Sequence, residues 1–91
     1  MIQIDLLDYQ KYSKSNNGNK YILIGVDIFS RMAFAEPIKD KSPQNVLSGF
    51  QKFHFPVKPI SIYMDSGNEW KGIFKNYLNE NNIYEIENYF K

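Results

Sequence analysis

Residues 60–70 read Ile-Ser-Ile-Tyr-Met-Asp-Ser-Gly-Asn-Glu-Trp, and their periodicity changes half-way. Ile60, Ile62 and Met64 alternate with polar positions, the period of a strand with one buried face. The run stops at Asp65, and Ser66-Gly67-Asn68 has the composition of a turn. Trp70, Phe74, Tyr77 and Leu78 then fall at i, i+4, i+7 and i+8, one face of a helix. This segment therefore reads as a strand that feeds a helix. Asp65 sits at the strand's C-terminal end, the rim where ligands collect in open α/β sheets.

A second acid stands inside an apolar strand, Ile2-Gln3-Ile4-Asp5-Leu6-Leu7-Asp8. A carboxylate in a buried strand is costly unless something pairs with it. A divalent cation shared between Asp5 and Asp65 is one such partner. Apolar residues on both sides of residues 2–8 predict a central strand. Asn17-Gly18 marks a turn between strand-like runs. The second strand covers 21–28 and the third 32–36, closed by Pro37, which has no amide to donate.

Ser42-Pro43 starts a helix as N-cap and first helical residue, with Val46, Leu47, Phe50 and Phe53 on one face. Pro56 and Pro59 lead to the strand at 60–64, by a parallel crossover. A second helix is expected over 69–80. Gly72 weakens it by about 1 kcal/mol relative to Ala. Asn81-Asn82 suits a left-handed cap, and 83–86 a short last strand. The order β-β-β-α-β-α-β predicts an α/β, ribonuclease-H-like fold. It comprises a three-stranded antiparallel meander followed by α-β-α-β, incomplete at the C-terminus. Residues 1–91 form one domain.

Composition bounds the function classes. The chain is 43% hydrophobic with seven Phe and seven Tyr, too apolar for disorder. A net charge of +1 gives no overall basic signature, though it leaves room for a local patch. With no Cys and one His, disulfides, thiolate zinc sites and histidine-rich metal sites are excluded. No leader pattern or membrane-length apolar run is present, so the expectation is an intracellular chain with no membrane partner.

Three segments together carry a resemblance. Ile2-Gln3-Ile4-Asp5-Leu6 is similar to the first acidic strand of retroviral-type integrase catalytic cores. Residues 21–31, Tyr-Ile-Leu-Ile-Gly-Val-Asp-Ile-Phe-Ser-Arg, followed by Ala33-Phe34-Ala35, resemble the hairpin of that family. Residues 64–72, Met-Asp-Ser-Gly-Asn-Glu-Trp-Lys-Gly, resemble its second acidic motif, with Ser66 where Asn is usual. The nearest flavour is the integrases of retrotransposons and of Maverick/Polinton-type DNA transposons, within the DDE transposase/integrase superfamily. The resemblance implies cutting and joining of DNA by phosphoryl transfer dependent on Mg²⁺ or Mn²⁺, with two ions in the complete site. Asp5 and Asp65 match the first two catalytic and metal-binding acids. The third, a Glu on a later helix, would fall beyond Lys91. Glu80, Glu85 and Glu87 come too early to match it. The family's flanking zinc-binding and DNA-binding domains have no counterpart in these residues. DNA as partner, a homo-oligomer, and a nuclear or viral-factory location are further implications.

Other residues keep two readings. Asn68 and Glu69 cap the following helix or lie, with Lys71, beside a DNA path. Asp8 and Asp27, the latter with Ser30, read first as turn residues. Lys11, Lys14 and Lys20 mark a solvated loop or phosphate contacts. The Phe50/Phe53/Phe55 set and Trp70, Phe74 and Tyr77 read as core, and His54 as a helix-end residue. Alternatives to the integrase reading are a catalytically dead remnant serving as a nucleic-acid-binding or oligomerisation module, and a ribonuclease-H-like nuclease. A fold cut before its last helices is expected to expose an apolar face and to self-associate.

Overall fold

A computed structural model describes residues 1–12, 14–55, 58–65 and 67–88. The elements run β1 (Ile2–Asp8), β2 (Tyr21–Asp27), β3 (Ala33–Ile38), α1 (Pro43–Gln51), β4 (Ser61–Asp65), α2 (Ile73–Glu80) and β5 (Tyr84–Asn88). They build a five-stranded sheet in the order β3-β2-β1-β4-β5. β1, β2 and β3 form the expected antiparallel meander, while β4 pairs parallel to β1 and β5 parallel to β4. β1 is thus the central strand that its two-sided apolar sequence predicts.

The hairpin between β1 and β2 closes on Asn17 and Gly18, both with positive φ (54° and 80°). Two short 3-10 turns, Gln10–Tyr12 and Lys14–Asn16, precede it. β3 runs through Pro37 to Ile38 instead of ending before the proline. The reason is position: β3 is an edge strand, where a missing amide costs no ladder bond.

Both helices lie on one face of the sheet. Ser42 caps α1 as its sequence predicts, its side chain accepting the Asn45 amide at 3.3 Å. Ile2, Ile4, Leu23, Ile62 and Met64 point from the strands into this layer and are buried. Val46 and Phe50 from α1 and Phe74 and Leu78 from α2 meet them. Phe50 and Phe74 approach edge to face at 5.4 Å, a geometry worth about 0.5–1.5 kcal/mol beyond area burial. Trp70 and Phe53 are buried, and Phe55 and Tyr77 half-buried against the same cluster, as their spacing predicts.

Two expectations are corrected around β4 and α2. Ile60 lies outside β4 and is 73% exposed, so only Ile62 and Met64 carry the buried phase. The helix expected over 69–80 is split. Asn68–Trp70 is a 3-10 turn, and α2 starts at Ile73 after Gly72, whose φ of 63° and ψ of −120° no helix accommodates. Asn82 takes the left-handed conformation beyond α2 (φ 57°), and the last strand reaches Asn88.

The opposite face of the sheet carries no helix among the described residues. Strand alternation places Gln3, Asp5 and Leu7 on it, beside Val26, Ile24 and Ile22 of β2. Ser61 and Tyr63 of β4 and Tyr84 and Ile86 of β5 share this phase.

Candidate functional site

Asp5 is exposed at the middle of β1, on the open face. Its Oδ1 accepts the Leu6 amide at 2.8 Å, and Oδ2 takes no hydrogen bond from the described residues. The strand to its side is β4, where Ile2 is level with Ile62 and Gln3 with Tyr63. The paired part of that ladder ends there, two residues before Asp5 on β1 and two before Asp65 on β4. Asp65 ends β4, level with Asn88 of β5. Its side chain lies outside the described structure, as do all of Ser66 and the side chain of Asn68.

The turn after Asp65 is tight. The Glu69 carboxylate folds back over Gly67 so closely that a Cβ there would stand 2.7 Å from Oε2. Glu69 therefore crowds the loop that follows Asp65, a contact that its reading as a helix-capping acid did not foresee. Lys71 is exposed one residue before the kink at Gly72.

The other acids have different work. Asp8 accepts the Gln10 amide and the Gln10 side chain, both at 3.0 Å, and these bonds hold its carboxyl below the usual range. Asp27 is likewise lowered, first by the Phe29 amide at 2.9 Å and then by Ser30. Both are turn acids, as read from sequence. Glu85 stands level with Ile62, on the helix side of the sheet, and pairs with Lys75 at 3.2 Å. It faces away from the side of the sheet that carries Asp5. Among the described residues no group of three acids or histidines converges.

Two carboxylates on adjacent strands are the donor type that a hard divalent cation takes, with water or phosphate oxygen completing its shell. A separate cavity of about 360 Å³ opens beyond the C-terminal ends of α1 and α2, walled by Phe50, Phe53, Phe55 and Tyr77. It lies at the start of β4, the opposite end from Asp65, and contains no acid. His54 and Lys58 stand at its edge, and the Lys58 ammonium donates to the Asn81 carbonyl at 2.6 Å.

Comparison with solved structures decides the architecture. The chain superposes on the crystal structure of the catalytic core domain of BIV integrase with a TM-score of 0.70, over 96% of this chain and 53% of that one, at 16% identity. The fold is that of an integrase catalytic core. A Caenorhabditis elegans protein described as transposon-derived is 36% identical over 62 residues, which is 66% of this chain and 22% of that protein. The chain thus spans about a fifth of the one and about half of the other. No protein-family model matches the sequence. The integrase-core fold accounts for the meander and the parallel strands that follow it. No helix among the described residues is long and apolar enough to cross a membrane.

Proposed function

We propose that this chain is a segment of an integrase-type catalytic core that acts on DNA, with Asp5 and Asp65 as its divalent-metal ligands. The observation that supports this most is the parallel pairing of β1 with β4, the two adjacent strands that carry Asp5 and Asp65. The integrase-core fold and the transposon-derived relative point the same way.

A bound Mg²⁺ or Mn²⁺ would supply Lewis-acid stabilisation of phosphate oxygens and activation of an attacking hydroxyl. The chain's own contribution is position. Asp5 and Asp65 each offer hard oxygen donors from a rigid strand. The Leu6 amide holds Asp5 Oδ1 and so fixes the rotation of its carboxylate. On this reading the exposed Lys71, beyond the Asp65 turn, would meet a DNA phosphate, with Asn68 and Glu69 as further residues of the same contact. Two-ion phosphoryl transfer needs ions about 3.5–4 Å apart and more carboxylate than this pair provides. The 91 residues are therefore expected to bind metal without turning over DNA.

That same shortfall supports the second reading, a non-catalytic binding or association module. Mn²⁺ titration calorimetry separates the cases. Binding by the wild-type chain that is lost in both Asp5→Asn and Asp65→Asn supports the ligand assignment. Identical titrations for all three proteins would overturn it.

A further inference from the structure

Beyond the carboxylate pair, the turn region after β1 brings together features that the metal site does not use. Tyr9 and Tyr12 are 36% and 58% exposed, whereas Phe50, Phe53, Trp70 and Phe74 are buried in the core. Their centroids are 6.2 Å apart and their planes inclined at 52°. With Ser15 and Ile22 they wall a shallow groove of about 590 Å³. Ile22 is level with Leu7, so the groove opens on the same face of the sheet as Asp5. Leu7 and Asp5 are two residues apart on one strand, about 7 Å.

The groove is built rather than incidental. The Tyr9 amide donates to the Lys20 carbonyl at 2.7 Å, and the Tyr12 amide to the Tyr9 carbonyl at 2.9 Å. Ser15 Oγ donates to the Tyr12 carbonyl at 3.1 Å. Asp8 holds Gln10 twice over. These bonds fix the backbone that carries the two rings.

The charge around it is predominantly positive. Lys11, Lys14 and Lys20 are exposed in this region. Lys39 and Lys41 join them at the end of β3, which the Lys20 amide ties in through the Ile38 carbonyl at 3.1 Å. Five of the chain's eleven basic residues thus gather at one end of a protein whose net charge is only +1. The nearby acids are engaged locally, Asp8 by Gln10 and Asp40 by Ser42 and Asn45.

We infer that this region is a platform for an unpaired nucleotide of a DNA strand, with Tyr12 as the stacking ring, Tyr9 as the side wall and Lys11, Lys14 and Lys20 as phosphate contacts. The inference rests on the DNA reading given above and specifies which form of DNA the chain prefers. An exposed ring face is covered only by a base already out of its stack, whereas lysines meet phosphates in any form. The shared face lets one strand reach both the platform and Asp5.

The test is fluorescence anisotropy of a short labelled oligonucleotide, single-stranded and as its blunt duplex, in EDTA over a salt series. The single strand should bind more tightly than the duplex. Tyr12→Ala should weaken single-strand binding about 5- to 150-fold, the value of one base stack, while Tyr12→Phe retains it. Combined Lys11→Ala, Lys14→Ala and Lys20→Ala should flatten the salt slope by about 2, at about 0.7 per phosphate on a single strand. Thermal melting of each variant checks that the loss is local. Equal affinity for the two forms, single-strand binding unmoved by Tyr12→Ala, or no binding of either form would overturn the platform. The platform is read in EDTA without metal, and the carboxylate pair by Mn²⁺ titration without DNA, so either reading can fail alone.

Discussion

Ile2 on β1 stands level with Ile62 on β4 in parallel register, and Asp5 and Asp65 lie further along the same two strands. The ligand pair proposed above would bring two like charges together, which destabilises a sheet unless a cation lies between them. Removing one of them should therefore help the metal-free fold. In EDTA, Asp5→Asn is expected to raise stability by about 0.2–1 kcal/mol, the usual scale of cross-strand pairs. Addition of Mn²⁺ at about 100 times its dissociation constant should stabilise the wild type by about 2.7 kcal/mol and the variant not at all. Melting curves with and without Mn²⁺ read both effects. A wild-type midpoint indifferent to the ion would refute the pairing.

Gly72 is the hinge between the 3-10 turn that carries Trp70 and the helix that carries Phe74. Its φ of 63° with ψ of −120° belongs to a region that essentially only glycine occupies. Nothing crowds the position where a Cβ would stand, so a substitution there tests backbone strain alone. Gly72→Ala should cost about 1–3 kcal/mol in urea unfolding. A gain in stability, as the better helix propensity of alanine would give, would show that the helix is continuous through residue 72.

That position also shows where sequence reasoning stops. The periodicity of Trp70, Phe74, Tyr77 and Leu78 correctly marked one buried face, because both the 3-10 turn and α2 present the same side to the sheet. Periodicity reports which side chains are buried and is blind to a backbone break that preserves the side. The strands were legible for a similar reason: alternation in β1 and the near-continuous apolar run of β2 follow from their central places in the sheet. Pro37 was misread as a stop because edge position, which makes a proline tolerable, is a property of the whole sheet. Asp5 and Asp65 stood out as an acid within an apolar strand and an acid at the end of one. That their two strands are neighbours came only with the sheet order. The Tyr9–Tyr12 notch had a signal that went unused, tyrosines interleaved with lysines in residues 9–14. The fold of Glu69 over Gly67 had none.

Asp40 anchors the entry to α1. Its carboxylate accepts from the Asn45 side chain at 2.7 Å and the Ser42 amide at 2.9 Å. These bonds, Asn45 first, lower its pKa from 3.8 to about 2. A carboxyl depressed in the folded state stabilises the fold above its ordinary value and loses that contribution as pH falls through the folded value. The wild type should therefore melt above Asp40→Asn at neutral pH, with a gap that is steady above about pH 5 and closes between 3.8 and about 2. Thermal melts across pH 2–7 measure the gap. A difference that does not change with pH would mean the charge of Asp40 contributes nothing.

The face of the sheet that carries Asp5 also carries Leu7 (38% exposed), Tyr84 (73%) and Ile86 (41%). Ile22, Ile24 and Val26 fill the centre between Leu7 and the β3 edge and are half-buried. A patch this continuous is unusual on a monomeric surface and favours association through apolar burial. The expected behaviour is concentration-dependent self-association in sedimentation velocity. Leu7→Lys with Ile86→Lys should move the chain toward monomer, since each places a charge on that face. Phe29→Lys should not, because Phe29, although 94% exposed, sits on the β2–β3 turn and not on a strand of the sheet. A single monomeric boundary for the wild type at high concentration would show that the open face is satisfied by water alone. Equal dispersal by Phe29→Lys would instead assign the association to added net charge and not to this surface.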